Sequence, residues 1–209
     1  MSAQDAVNDI DILRQLAGNE GPIAVSACID KSLNRWKKKS IKFALTGSSA
    51  TGKYTFMNTI RNVKPGDDGC AKAGSGDTTT KPKLYLHPKN DQIALYNLPG
   101  YSSTIFKKGD YISAMKMSVY NFVFIFFNNV LSEDEVWLVR ELRKLGKLFS
   151  LFRSKIDIDI DNIIHDGKDQ EIVIPEIKVK IKNALETNPE LKDTKGIFLI
   201  SSRKPDLEG

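Results

Sequence analysis

The sequence predicts an α/β fold in which a mainly parallel sheet of six strands is flanked by helices. Three observations support this prediction. A glycine-rich phosphate-binding pattern follows a short strand pattern at Ile41 to Leu45, and strand and helix patterns then alternate along the chain. The longest apolar run, Phe122 to Phe127, has the composition of a strand covered on both faces and is far too short to span a bilayer.

We expect an N-terminal helical segment over residues 1–38 and a nucleotide-binding domain over residues 39–209. Two helix patterns in the first part are separated at Gly18 to Pro22, where glycine and proline interrupt the periodicity. In the domain, a helix is expected from Thr55 to Asn62. The segment from Lys64 to Pro82 is rich in Gly, Asp and Thr, which is typical of a long functional loop.

Ser132 and Glu135 form a capping-box pattern that predicts the start of a helix ending near Leu145. The last predicted strand has no helix pattern after it, so we expect exposed apolar surface there and a truncated domain. The remaining predicted strands are Lys83 to Leu86, Ile93 to Tyr96, a strand beginning at Asn121, Leu148 to Phe152 and Gly196 to Ile200; the remaining predicted helices are Asp110 to Met117 and Glu171 to Glu186.

Composition and charge narrow the function only slightly. The 209 residues are 41% hydrophobic and 27% charged, as in ordinary globular proteins, and the net charge of +5 suits any phosphate-bearing partner. No aromatic RNA-binding signature, zinc-ligand set or basic zipper is present in the sequence, so we expect no nucleic-acid partner. The N-terminus lacks a secretory signal and the two cysteines, Cys28 and Cys70, lie in no metal or redox spacing. We therefore expect a cytoplasmic protein with free thiols.

The phosphate-binding pattern G-x-x-x-x-G-K-[ST] is matched at every fixed position except the last. Backbone N–H groups around its glycines can wrap a diphosphate, and the lysine reaches the terminal phosphates. The final hydroxyl normally ligates Mg²⁺, whereas a tyrosine carries its hydroxyl at the far edge of a ring. We therefore expect a nucleotide site with doubtful Mg²⁺ binding, formed by Gly47, Ser48, Ser49, Ala50, Thr51, Gly52, Lys53 and Tyr54.

A second motif indicates the base. Ser154, Lys155 and Asp157 follow the Leu148 to Phe152 strand in the pattern of the [NT]-K-x-D element of GTPases. A carboxylate accepts hydrogen bonds from both N1–H and N2–H of guanine, and adenine offers neither donor in that arrangement. Ser154 replaces the usual Asn or Thr, which puts one hydrogen bond between loops in doubt. These features predict a Ras-like P-loop GTPase domain and disfavour an ATP-dependent P-loop kinase.

The acids after Asp157 allow another interpretation. Asp157, Asp159 and Asp161 imitate the first positions of a calcium-binding loop, but Asn162 and Lys168 stand where that loop needs Gly and Glu. We therefore expect these later acids, with His165, to lie in a solvated loop.

With these motifs, the chain resembles the immunity-related GTPases of the interferon-inducible type over residues 24–203. The resemblance implies binding of GDP and GTP, self-association with copies or related GTPases, and peripheral action on intracellular membranes in cell-autonomous defence. It is carried by the phosphate loop with residues 58–61, Ala71 to Gly74, Leu98 to Tyr101, Ser103 and Thr104, the Tyr111 to Lys116 helix, and Phe152 to Asp157.

The resemblance also implies roles for single residues. Thr55 would contact the α-phosphate, and the Gly100 amide would face the γ-phosphate. Thr79, with Thr78 and Thr80 as alternatives, would be the switch threonine that approaches Mg²⁺. The implied catalytic residues are thus Lys53, Thr79 and Gly100, the implied metal-site residues are Thr79 and Asn97, and the loop that supports guanine is Ser201, Ser202 and Arg203.

Two departures from the family meet at the metal. Asn97 stands where the family has an aspartate, and Tyr54 stands where it has Ser or Thr. We therefore expect GTP or GDP to bind with weak Mg²⁺ dependence and impaired hydrolysis, and a non-catalytic pseudo-GTPase interaction module is the alternative. Ser2 replaces the glycine that myristoylation requires, and the family's large C-terminal helical region is missing, so membrane association is expected only of a longer form.

Overall fold

The computed structural model of this chain describes residues 14–15, 17–18, 21–72, 80–101, 106, 108–167, 169–192, 194 and 196–203, without the side chains of 31–38 and 170. The chain divides into two units, residues 1–40 and 41–209. Helix α1 (Gly21–Lys38) belongs to the first unit and corresponds to the second of the two predicted N-terminal helices. The other predicted helix lies almost wholly outside the described residues.

The second unit is built on a six-stranded sheet in the order β2-β3-β1-β4-β5-β6. Only β2 runs antiparallel to its neighbour, so the predicted mainly parallel sheet is confirmed. The carboxyl ends of β1, β3, β4 and β5 therefore meet at one edge, where the motif loops follow. The strands are β1 (Ile41–Gly47), β2 (Lys83–His87), β3 (Asn90–Asn97), β4 (Phe122–Phe127), β5 (Leu148–Arg153) and β6 (Ile197–Leu199).

In the described part of this unit five helices cover the sheet, and most begin and end within a few residues of the predictions. The capping box is confirmed: Glu135 accepts a hydrogen bond from the Ser132 amide at 2.7 Å, and the Ser132 hydroxyl accepts one from the Asp134 amide. No helix in the described part of the chain is long and apolar enough to cross a bilayer. The helices are α2 (Lys53–Ile60), α3 (Lys108–Ala114), α4 (Glu133–Lys144), α5 (Ile156–His165) and α6 (Val173–Thr187), with short 3₁₀ turns at Met117–Val119 and Gln170–Ile172.

Helix α5 corrects the prediction of a solvated loop after Asp157. Ile156 and Ile160 are buried and Ile163 is partly buried, so residues at i, i+4 and i+7 form one apolar helix face. Because isoleucine and aspartate alternate over residues 156–161, the helical period of the apolar residues is not apparent in the sequence. The helix also excludes a calcium loop over the same residues.

The core lies on both faces of the sheet. Helices α3 to α6 cover one face, and α2 covers part of the other through Met57 and Phe56. Strand β6 has side chains on both faces. Ile197 and Leu199 pack on the face that α3 to α6 cover, while Phe198 on the opposite face stacks on Phe152 and remains 49% exposed. The predicted apolar exposure at the last strand is thus confined to one face.

Candidate nucleotide-binding site

The phosphate loop joins the end of β1 to the start of α2. Gly47 has φ of 143°, and a Cβ there would lie 2.2 Å from the Phe126 carbonyl oxygen, so a side chain cannot be accommodated. Gly52 adopts the left-handed conformation with φ of 78° immediately before α2. Since the helix starts at Lys53, its N-terminal end is directed at the loop, as an anion site requires.

Lys53 is folded into this loop. Its ammonium donates hydrogen bonds to the carbonyl oxygens of Gly47 at 2.9 Å and Ser48 at 2.7 Å, and to the Thr51 hydroxyl at 3.1 Å. The Thr51 hydroxyl in turn donates to the Ser48 carbonyl oxygen. The buried cation therefore lies among the loop's oxygens, where the oxygens of a bound phosphate would compete for its N–H groups.

Asp157 lies in the first turn of α5, next to this loop. The residue is only 6% exposed, and within the described residues its carboxylate has no hydrogen-bond or ion-pair partner. Lys155, immediately before the helix, holds the left-handed conformation with φ of 62°. The Asp157 oxygens are not among the fully buried unpartnered atoms of the described residues, so they keep contact with solvent and are open to the donors of a ligand.

Ser154 settles the doubt about the hydrogen bond between the loops. Its buried hydroxyl donates to the Thr51 carbonyl oxygen at 2.7 Å and so joins the base loop to the phosphate loop. The loop of Ser201 to Arg203 is held to helix α2, since the Thr59 hydroxyl on that helix donates to the Ser202 carbonyl oxygen at 3.1 Å. Serine thus keeps the connection that the usual Asn or Thr would make.

Arg153 is a positioning residue that the sequence did not reveal. Arg153 is 3% exposed, and its guanidinium donates to the Ser154 carbonyl oxygen at 2.6 Å, to Asn129 Oδ1 at 3.1 Å and to Asp159 Oδ2 at 2.6 Å. Burial lowers the pKa of Arg153, and the Asp159 carboxylate opposes that shift. One side chain therefore ties β5, the loop after β4 and helix α5 together. A polar residue ending an apolar strand was the only signal in the sequence.

Two buried tyrosines connect the phosphate loop to the segment after β3. The Tyr111 hydroxyl donates to the Pro99 carbonyl oxygen at 2.7 Å and lies 2.7 Å from the Thr46 hydroxyl. The Tyr101 hydroxyl donates to the buried Glu135 carboxylate, which also accepts a 3.4 Å hydrogen bond from Ser48. Burial raises the pKa of both tyrosines, and the charge of Glu135 raises that of Tyr101 further.

Those of the remaining predicted residues that the structure describes lie at the same edge of the sheet. Thr79 and Thr78 lie outside the described residues, while Thr80 is exposed. The others are distributed as follows: Ser49 and Ala50 are exposed at the tip of the phosphate loop, Thr55 is half-buried on α2, Gly100 is half-buried after β3, Ser201 is buried, Ser202 is half-buried and Arg203 is exposed.

The residues at the two magnesium positions do not fit the usual metal arrangement. The residue after Lys53 is Tyr54, which has no short-chain hydroxyl, and its ring packs against the apolar cluster that includes Ala71 and Tyr85. Asn97 is buried at the end of β3 and carries a neutral amide where a carboxylate is usual. Among the described residues, no group of three or more His, Cys, Asp or Glu side chains is placed to hold a metal ion.

The sheet order, the phosphate loop between β1 and α2, and the base-recognition motif after β5 define a P-loop GTPase. Solved structures agree on the fold. LeoA, a bacterial dynamin GTPase from ETEC, aligns with 99% of this chain and 38% of its own at a TM-score of 0.56 and 19% identity. Era in complex with MgGDPNP and nucleotides of 16S ribosomal RNA aligns with 80% of this chain and 52% of its own, at a TM-score of 0.51 and 19% identity.

Within that class, the sequence profile of interferon-inducible GTPases matches residues 9–207, so the chain belongs to the interferon-inducible GTPase family. T-cell-specific guanine nucleotide triphosphate-binding protein 2 of Mus musculus is 31% identical over 194 residues, which are 91% of this chain and 46% of the relative. Interferon-inducible GTPase 1 of Mus musculus is 29% identical over 96% of this chain and 48% of its own length. The chain thus spans about half the length of these relatives. Membership implies guanine-nucleotide binding.

Proposed function

We propose that this chain binds GDP and GTP with selectivity for guanine, hydrolyses GTP weakly, and uses nucleotide occupancy to control self-association. The observation that carries the proposal is the recessed Asp157 carboxylate, which lacks a protein partner among the described residues. It stands in the loop that Ser154 joins to the phosphate loop. One nucleotide can therefore place its base at Asp157 and its phosphates at Lys53.

Weak hydrolysis follows from the metal positions. In GTPases, Mg²⁺ balances the charge of the β- and γ-phosphates and supports transfer of the terminal phosphoryl group. Tyr54 and Asn97 remove a direct ligand and a charged partner of that ion. The chain's own residues still bind and orient the nucleotide, since the loop amides, Lys53 and Asp157 do not depend on the metal.

Self-association and a role in defence rest on family membership. Nucleotide-dependent contacts would form at the face that carries the phosphates, which the segments around Thr80 and Gly100 border. We propose pairing with another copy or a related GTPase in the cytoplasm, and peripheral association with intracellular membranes for a longer form.

A non-catalytic interaction module is the second candidate, and the same two departures at Tyr54 and Asn97 favour it. In that case the pocket would be a structural remnant, and the surface would pair with other family members without nucleotide. Nucleotide binding separates the two functions.

Calorimetric titration with GDP and ADP tests the proposal. The unmodified protein should bind GDP and reject ADP, because adenine cannot donate two hydrogen bonds to Asp157. Asp157→Ala should weaken GDP binding by about 1.5 to 3 kcal/mol, the typical contribution of a hydrogen bond to a charged group. Asp161→Ala, which removes an exposed acid from the same helix, should leave the GDP affinity unchanged. Equal affinity for GDP and ADP would refute guanine selectivity, and no binding of either would favour the interaction module.

A further inference from the structure

A basic cleft lies beside the phosphate loop, between the first turn of α2 and the edge strand β2. Its volume is about 410 Å³, and its lining includes Tyr54, Lys72, Thr80, Lys81, Lys83 and Tyr85. Among the residues that the structure describes, no acidic side chain lines it. The cleft therefore offers three ammonium groups and two kinds of hydroxyl to anything that enters.

The described residues of this cleft carry positive charge without a paired acid. In the part of the chain that the structure describes, no ion pair joins Lys72, Lys81 or Lys83 to an acid. The Lys83 ammonium lies 5.2 Å from the centre of the Tyr85 ring, which holds it over the cleft wall by a cation–π contact. Like charges that share a concave surface repel one another, and an anion in the cleft would relieve that repulsion.

The position of the cleft identifies the anion. Tyr54 directly follows Lys53, and Lys83 stands opposite Asn97 in the β2–β3 register. The cleft thus borders both positions at which a magnesium-dependent GTPase holds its metal, and it opens beside the helix N-terminus that receives the phosphates. The lysine ammonium groups of the cleft therefore lie beside Tyr54 and Asn97, the two positions that lack the usual metal-binding groups.

We propose that this cleft binds the terminal phosphate of GTP, and that its lysines balance the charge that Mg²⁺ balances in other GTPases. The inference rests on the proposed guanine-nucleotide binding and adds to it the means by which a triphosphate is held without metal. Ammonium groups supply positive charge and N–H donors to the phosphate oxygens. They do not act as a Lewis acid, so tight binding with little hydrolysis is the expected combination.

Affinities for GTP and GDP, measured with Mg²⁺ and with EDTA, test the cleft. In the unmodified protein, EDTA should leave GTP affinity unchanged. Lys72→Ala and Lys81→Ala should each weaken GTP binding about tenfold or more, the effect of losing a hydrogen bond between charged groups. Their GDP affinity should stay near that of the unmodified protein, because GDP has no terminal phosphate in the cleft. Lys81→Arg should retain most of the GTP affinity.

The matched control is Lys89→Ala, which removes an exposed lysine at the turn between β2 and β3, away from the cleft. This variant should bind GTP normally. Alanine variants of Lys72 and Lys81 that keep full GTP affinity, or that lose GTP and GDP affinity equally, would overturn the inference while guanine binding stands. A protein that binds neither nucleotide would overturn the proposed function and this inference with it.

Discussion

The Ser154 hydroxyl joins two loops that are separated by 103 residues in the chain. At 2.7 Å from the Thr51 carbonyl oxygen, it fixes the base loop against the phosphate loop, and Arg153 holds the same residue by donating to the Ser154 carbonyl oxygen. Asp157 is then placed without a hydrogen-bond or ion-pair partner among the described residues. At the scale of single residues, the site consists of positioning contacts around one carboxylate, which we propose recognises the guanine base.

Replacing Ser154 tests this positioning. Ser154→Ala leaves the buried Thr51 carbonyl oxygen without its donor, so we expect the free energy of unfolding to fall by about 1 to 3 kcal/mol. GDP affinity should fall as well, because the base loop loses its register against the phosphates. Ser154→Thr keeps the hydroxyl and should restore both quantities. Chemical denaturation and GDP titration measure them, and an alanine variant with unchanged GDP affinity would contradict the positioning role.

The metal positions support a second prediction. Tyr54→Ser combined with Asn97→Asp restores a short hydroxyl and a carboxylate, so GTP binding should become Mg²⁺-dependent and hydrolysis should increase. Each single change should do less than the pair, because the two groups hold one ion. Titration with and without Mg²⁺, together with phosphate release, provides the measurement. An unmodified protein that already needs Mg²⁺ and turns over GTP would show that Tyr54 and Asn97 do not impair the site.

At the scale of elements, two tyrosines join helices to the loops of the sheet. Tyr111 of α3 links Thr46 at the end of β1 to Pro99 after β3. Tyr101 links the same segment after β3 to Glu135 in the first turn of α4. Both hydroxyl groups are buried, so these helices hold the segment that contains Gly100 in one position relative to the phosphate loop.

The buried tyrosines predict a loss of stability in alkali. Their pKa values are raised above the ordinary value of 10.0, so the folded state keeps protons that the unfolded chain releases. The contribution of these tyrosines to the free energy of unfolding is therefore fully present below about pH 10. Above that pH the free energy of unfolding falls by about 1.4 kcal/mol per pH unit for each tyrosine. Tyr101→Phe should make this slope shallower while lowering stability at neutral pH. Urea unfolding from about pH 8 to 11 measures the slope; an unchanged slope in the variant would contradict the assignment.

Local patterns explain which elements were predictable. The capping box of α4 and the apolar run of β4 depend on neighbours in sequence, and both are confirmed. Helix α5 was missed because its isoleucines alternate with aspartates at the start, which imitates a metal-binding loop. The contacts of Ser154, Arg153 and Glu135 depend on which strands are adjacent, so a single sequence does not reveal them.

At the scale of the whole molecule, the strand order explains why distant motifs form one site. Strands β1 and β5 both lie next to β4 and run parallel to it, so the loops that follow them emerge at the same edge of the sheet. The phosphate loop and the base loop are therefore neighbours, and β6 brings the loop of Ser201 to Arg203 beside them through the backbone hydrogen bond from Ile156 to Ile200. The sequence predicts these loops only as separate motifs, whereas their position at one edge of the sheet is a property of the topology.

Guanine recognition by Asp157 is tested most directly by Asp157→Asn, assayed with GDP and with xanthosine diphosphate. Xanthine carries a carbonyl oxygen where guanine carries its exocyclic amine, so the asparagine amide can donate to xanthine but cannot accept both guanine donors. The unmodified protein should prefer GDP, and the variant should prefer xanthosine diphosphate, each by about tenfold or more. A variant that keeps the preference of the unmodified protein, or an unmodified protein that binds both nucleotides equally, would contradict guanine recognition by this residue.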